Sequence, residues 1–242
     1  MSYHWNWRIF WDPSPEGIGT YWDMLLQGLL TTLEVSALAW LVALALGTVM
    51  GVLRTLSNPL ARSVGTAWVE LFRNIPLLVQ LFLWYFVLPE VVPVAAGDWL
   101  KSLQDAPFVI SAAGIGLFMS ARVAEQVRAG LGALPRGQGL AGTALGLTVP
   151  QTYRYVLLPM AFRIILPPLT SELINTVKNT SVALTIGLAE LTARARAMQE
   201  FSFQVFEAFT AATAGYLVVN LLATLLMRWL ERRVRVPGYV GA

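Results

Sequence analysis

Cysteine is absent from all 242 residues, which excludes disulfides and thiolate metal sites. Histidine is nearly absent: His4 stands alone near the N-terminus, without companions for metal ligation. A membrane-embedded enzyme would need clustered His, Cys or paired carboxylates, so no catalytic or metal-ligating residue is assigned. Charge is scarce, at 13% of residues where a soluble domain carries about a quarter. No Gly-Lys pair occurs, so the G-x-x-x-x-G-K-[ST] phosphate loop of an ATPase is missing. Residues 1–23 lack a basic segment followed by an apolar run, the pattern of a cleavable signal peptide. The net charge of +3 is not a nucleic-acid signal, because topology places the basic residues.

What is present is apolar. Hydrophobic residues make up 56% and the mean hydropathy is +0.61. These values predict an all-α integral membrane protein with one membrane domain, residues 1–242. Trp5, Trp7, Phe10, Trp11 and Trp22 crowd residues 1–23, which suits an interfacial arm at the outer headgroup level. Five transmembrane helices are predicted, over roughly 25–53, 75–92, 108–131, 164–191 and 205–228. The first contains Val35 to Leu53, 19 residues without charge and about 28 Å long as a helix. Gly47 and Gly51 give it a G-x-x-x-G pair for close helix contact. Residues 63–72 then read as an interfacial helix carrying Glu70. The third span has only 14 uncharged residues, Phe108 to Ala121, so it must continue through Arg122 and Glu125 toward Arg128. The fourth reads as interrupted, broken by Pro167 and Pro168 and polar through Glu172, Asn175, Lys178 and Asn179. Residues 190–200 read as a polar connection. The fifth contains Ala208 to Met227, 20 uncharged residues.

Basic residues orient these spans. Arg54, Arg62, Arg73, Arg128, Arg136, Arg154, Arg163, Arg228, Arg232, Arg233 and Arg235 fall on one side, which makes that side cytoplasmic. Arg8, Lys101, Arg194 and Arg196 fall on the other. Five spans then put the N-terminus outside and the C-terminus inside.

Ionisable groups at membrane depth are costly, so they pair or line a polar path. Arg122 and Glu125 are three apart, as are Glu125 and Arg128, and each pair shares a helix face. One reading is self-neutralisation within the helix. The other has Glu125 engage Arg128 while Arg122, the deepest, faces a cavity and binds an anionic substrate through its fork of donors. Lys178 and Asn179 on the fourth span could join that site, or Lys178 could pack against Glu172 or backbone carbonyls.

Between the third and fourth spans lies GQGLAGTALGLTVPQTYRYVLLPMAFRIILPP, Gly137 to Pro168. It is helix-compatible yet too punctuated to span a bilayer. Gly137 and Gly139 loosen the chain, residues 140–145 suit a short helix, and Gly146 permits the turn that ends it. Thr148 and Gln151 have capping-box spacing, and Pro150 in the first turn is tolerated. The result is helix, tight turn, helix, with an elbow near Gly146 to Thr148.

This stretch resembles the EAA loop of ATP-binding-cassette importer permeases, whose pattern is E-A-A, three residues, Gly, then Leu-Pro. Ala141, Gly146, Leu158 and Pro159 fit, while Leu140 holds the glutamate position and Gly142 the second alanine. The resemblance extends over ELFRNIPLLVQLFLWYFVLPE, ARVAEQVRAGLGALPRGQ and SELINTVKNTSVALTIG, and is strongest to the polar amino-acid branch, toward importers of glutamate and aspartate. Many members of the branch carry an aromatic residue where Arg122 stands and Asp where Asn179 stands. Both departures favour an acidic cargo. The resemblance implies a cytoplasmic coupling loop, residues 137–163, docking on an ATPase through Leu140, Ala141, Gly142, Leu145, Gly146, Leu147 and Thr148. It also implies a non-enzymatic subunit of the bacterial inner membrane. Its partners would be a paralogous permease or second copy, an ATPase dimer that holds the ATP and magnesium, an external amino-acid-binding protein, and the lipid bilayer, with no nucleic acid. No cofactor is expected on this chain. Glutamine or a basic amino acid remains an alternative cargo. An ATP-independent transporter is a second alternative, suited by the interrupted span.

Overall fold

The computed structural model describes residues 3–234, so Arg235 of the basic set lies outside the described residues. A 3-10 turn, Trp7–Trp11, precedes α1 (Tyr21–Leu53). α2 (Pro59–Asn74) begins where the Asn58 side chain accepts from the N–H groups of Leu60 at 2.9 Å and Ala61 at 3.3 Å. Pro76 then holds Ile75 extended, and the chain bends by 100° between Pro59–Asn74 and Leu77–Val91. α3 (Leu77–Phe82), a π turn (Leu83–Val87) and α4 (Leu88–Val91) make up that second arm. There follow α5 (Val94–Ser102), α6 (Ala106–Gly132), α7 (Arg136–Ala144), α8 (Val149–Thr152), a second π turn (Tyr153–Leu157), α9 (Leu158–Asn179), a 3-10 segment (Thr180–Ile186), α10 (Leu191–Ser202) and α11 (Val205–Val234). No β-strand occurs among the described residues beyond one isolated bridge, Pro13 with Thr20.

Four stretches, Tyr21–Leu53, Ala106–Gly132, Val149–Ile186 and Val205–Val234, are long and apolar enough to cross a membrane, and the bent pair makes up to five. The charged end of α6 is helical, as its short uncharged run requires. Two local expectations fail. Pro167 and Pro168 do not break the fourth apolar helix; α9 runs through both. They remove the two N–H donors that would reach the Arg163 and Ile164 carbonyls, a loss that membrane helices tolerate because neighbouring helices and hydroxyls can satisfy freed carbonyls. The interruption comes at Asn179, where the helix tightens to 3-10 and ends on Gly187 with φ +89°. Gly137 and Gly139 lie inside α7 rather than loosening the chain before it, because Pro135 already sets the helix start. The connection over residues 190–200 is helical, forming most of α10 and its cap between the fourth and fifth apolar stretches.

The described chain divides into two compact units. The first comprises residues 3–40, 76–116 and 175–222. Its core gathers Phe10, Met24, Leu25, Leu191, Met198 and Ala212. The N-terminal arm is fastened to it: the buried Glu207 accepts from the Asn6 N–H at 2.6 Å and from the Tyr3 hydroxyl, and Arg194 pairs with Glu16. Trp5, Trp7, Trp11 and Trp22 stay exposed.

Glu190 is fully buried at the start of α10, accepting from the Ala193 N–H at 2.8 Å and the Tyr216 hydroxyl at 2.6 Å.

The second unit comprises residues 41–75, 117–174 and 223–234. Its central contact is α1 on α6. A Cβ on Gly47 would lie 2.6 Å from Val123 Cβ, and one on Gly51 would lie 2.7 Å from Val127 Cβ, so the G-x-x-x-G pair sets this approach. Trp68 on α2 adds a bond to the Ser120 hydroxyl at 2.9 Å.

Candidate functional site

Two features of the second unit concentrate polar chemistry. The first is a charge cluster on the last three turns of α6. Glu125 pairs with Arg54 at 2.8 Å, Arg128 at 3.1 Å and Arg73 at 3.5 Å. Arg73 also meets Glu70 at 3.3 Å, and Asn74 donates to Glu70 at 2.9 Å. The Glu125 carboxylate thus ties the end of α1 and the end of α2 to α6. Its side chain is 24% exposed and that of Arg54 only 11%, so these charges are screened less than surface pairs.

Arg122 lies one turn earlier and outside this knot. Its guanidinium sits 3.9 Å from the buried Glu172 of α9, beyond hydrogen-bond reach, and 5.6 Å over the Phe118 ring. With its side chain 45% exposed, it presents a fork of donors that can take a second carboxylate. Glu125 does engage Arg128, but two further arginines share it. Lys178 and Asn179 close α9 within the first unit. Lys178 is exposed, and its carbonyl accepts from the Ser181 hydroxyl at 2.7 Å.

The second feature is the elbow. α7 ends in a left-handed turn at Gly146, φ +78°. There the Leu147 N–H bonds to the Gly142 carbonyl at 3.1 Å and the Gly146 N–H to the Thr143 carbonyl at 3.0 Å, the paired bonds of a Schellman cap. α8 opens at Thr148, whose N–H donates to the Gln151 side chain at 2.8 Å. Gly142 is buried because α8 crosses close by: a Cβ there would sit 2.8 Å from Thr152 Cγ2. Leu140, Leu145 and Val149 stand 70%, 80% and 62% exposed around the turn. Three bare apolar side chains on a capped turn flanked by Arg136 and Arg154 suit docking to protein.

Sequence spacing missed the long-range partners. Arg73 reaches Glu125 across 52 residues, and Tyr153 reaches Thr55 across 98. No local periodicity carries such pairings; the excess of arginine over acid near Glu125 was the one available hint.

The binding-protein-dependent transport system inner membrane component family matches residues 43–236. The glutamate/aspartate import permease protein GltJ of Escherichia coli is 47% identical over all of this chain and 99% of its own length. The glutamine transport system permease protein GlnP of Escherichia coli is 32% identical over 96% of this chain and 98% of its own. Among solved structures, the crystal structure of an amino acid ABC transporter with histidines covers 88% of this chain and 95% of its own, with 31% identity and a TM-score of 0.72. An inward-facing form of the MetNI methionine ABC transporter shares the fold, at 20% identity and a TM-score of 0.68 over 88% of this chain and 97% of its own.

Proposed function

The chain belongs to the family of binding-protein-dependent transport inner membrane components, and from this we propose that it is the permease subunit of an ATP-driven importer of glutamate and aspartate. It is a multi-pass protein of the inner membrane. The observation that carries the importer reading is the elbow, a capped turn with an apolar crown of Leu140, Leu145 and Val149. Ala141, Gly142, Gly146, Leu147 and Thr148 give that crown its shape. The full-length similarity to a glutamate/aspartate permease supports the cargo, and the half-exposed Arg122 supplies matching chemistry.

The bent pair counts as one span in this reading, which gives five: roughly 25–53, 75–92, 108–131, 164–191 and 205–228. The second unit holds Arg54, Arg62, Arg73, Arg128, Arg136, Arg154 and Arg163, which supports a cytoplasmic face there, an outer N-terminus and an inner C-terminus. The exposed tryptophans of residues 3–23 rest at the outer headgroup level. The pore needs a second permease, paralogous or identical. An ATPase dimer binds ATP and magnesium, and an external binding protein delivers the amino acid. Closure of the ATPase pulls the elbow and tilts the helices toward the outward-open state. Coupling requires the ATPase to bind one permease state better than the other. Within the chain, Arg122 receives the cargo carboxylate and Glu125 fixes the helix that carries it, while Lys178 and Asn179 line the route from α9.

The test is ATPase activity and uptake by the complete complex in liposomes, with its binding protein, over a panel of amino acids. Stimulation by glutamate and aspartate is expected. Stimulation by glutamine alone would move the cargo to that of the 32% identical relative. Uptake without the ATPase would return the chain to an ATP-independent transporter.

A further inference from the structure

We propose that a hydrogen bond between Tyr153 and Thr55 carries the elbow's movement to α1, which makes Tyr153 a positioning residue for coupling; this deepens the importer reading and rests on it. Tyr153 opens the π turn directly after α8. Its hydroxyl lies 3.0 Å from the Thr55 hydroxyl and 3.4 Å from the Thr55 carbonyl. The Thr55 hydroxyl already donates to the Val52 carbonyl at 2.7 Å. Its proton is therefore engaged, and Tyr153 is the donor to both Thr55 oxygens. The bond lands just past the end of α1, where helix carbonyls lack ladder partners.

Three observations make this bond a mechanical link rather than an incidental contact. The π turn over Tyr153–Leu157 is a compliant joint: its wider hydrogen-bonded turns are a rare, strained form of helix. A displacement of α8 is absorbed there before it reaches α9, unless a stiffer route runs beside the backbone. Packing does not supply that route, because a cavity of about 330 Å³ opens at the same place, lined by Thr55, Leu131, Leu134, Arg136, Tyr153 and Leu157. Both partners of the bond line it. Finally, both ends are anchored. On the elbow side, Gly142 seats α7 against Thr152, the residue before Tyr153. On the other, Arg54, the residue before Thr55, is held by Glu125 on α6 at 2.8 Å, one turn from Arg122. The route runs from elbow to Tyr153, to the end of α1, and through Arg54 and Glu125 into the helix that carries Arg122.

The test measures glutamate uptake per ATP hydrolysed in the reconstituted complex, with the amount of assembled complex as a control. Tyr153→Phe removes only the hydroxyl. The ratio is expected to fall on the order of 2- to 10-fold, the range of one neutral hydrogen bond, with assembly and basal ATPase activity retained. Thr55→Val should fall similarly, Thr55→Ser should keep the wild-type ratio, and the Tyr153→Phe/Thr55→Val double variant should be no worse than the weaker single. A wild-type ratio in Tyr153→Phe, additive losses in the double variant, or failure of both single variants to assemble would overturn the link while leaving the importer intact. Wild-type complex without ATP-driven uptake would instead overturn the importer reading, and this inference with it.

Discussion

Replacing Arg122 by alanine is expected to lower uptake of glutamate and aspartate on the order of 10- to 100-fold at low substrate concentration. The magnitude follows from the chemistry. Hydrogen bonds to charged groups contribute about 1.5–3 kcal/mol, and each 1.4 kcal/mol is about tenfold in affinity. Arg122 is the charged donor on α6 not drawn into the Glu125 knot, and its 3.9 Å separation from Glu172 leaves its fork available. The loss should appear in KM, because the interaction is made in the bound state and need not strengthen during translocation. Arg122→Lys keeps the charge without the fork and should fall between alanine and wild type. Glutamine, if transported at all, should respond less, since it lacks the side-chain carboxylate. The alternative is that Arg122 serves Glu172, which is 8% exposed and would lose a nearby cation. That role predicts a drop in Tm with unchanged selectivity. Equal losses for all amino acids, accompanied by a lowered Tm, would assign Arg122 to the fold and leave cargo selection to the external binding protein.

How much of this was legible beforehand differs between the two features. The elbow could be read almost whole because its determinants are local. Gly146 supplies the positive φ, the Thr148 and Gln151 spacing supplies the next start, and both act within five residues. The charge cluster was half legible. Helical spacing pairs Glu125 with Arg128, but nothing in the sequence ties Glu125 to Arg54 or Arg73, because those contacts depend on how α1 and α2 pack on α6. Gly47 and Gly51 announced close contact without naming its partner. The prolines misled for a physical reason: propensity in water overstates what proline does in a membrane helix, where freed carbonyls can be satisfied by neighbours and hydroxyls, and α9 runs through both Pro167 and Pro168. The 3-10 end of α9 was hidden because Gly187, which terminates it, sits in a largely apolar stretch, residues 182–189, that reads as a continuing span.

Leu145→Glu is expected to abolish capture of the ATPase by the permease, with at least a 100-fold loss of affinity between purified components. Leu145 is the most exposed apolar side chain of the elbow, so the substitution costs the free permease little. At a docked surface the ledger reverses. Burying a leucine contributes about 1.5–3 kcal/mol, and placing an unpaired carboxylate there adds several kcal/mol of desolvation. Gly146→Val tests the shape rather than the contact. A β-branched residue is an outlier at φ +78°, and a left-handed conformation costs about 1–2 kcal/mol, so the turn should open or shift. That variant should weaken capture by a smaller factor than Leu145→Glu, because the apolar crown remains. The ordering matters more than either value. If the elbow is the docking surface, contact outranks shape and both outrank an exposed substitution outside the spans and the elbow, such as Val94→Gln on α5. Undiminished capture in Leu145→Glu would place the ATPase elsewhere on the chain. The elbow would then be an amphipathic connector lying on the membrane surface, where Leu140, Leu145 and Val149 enter lipid rather than protein.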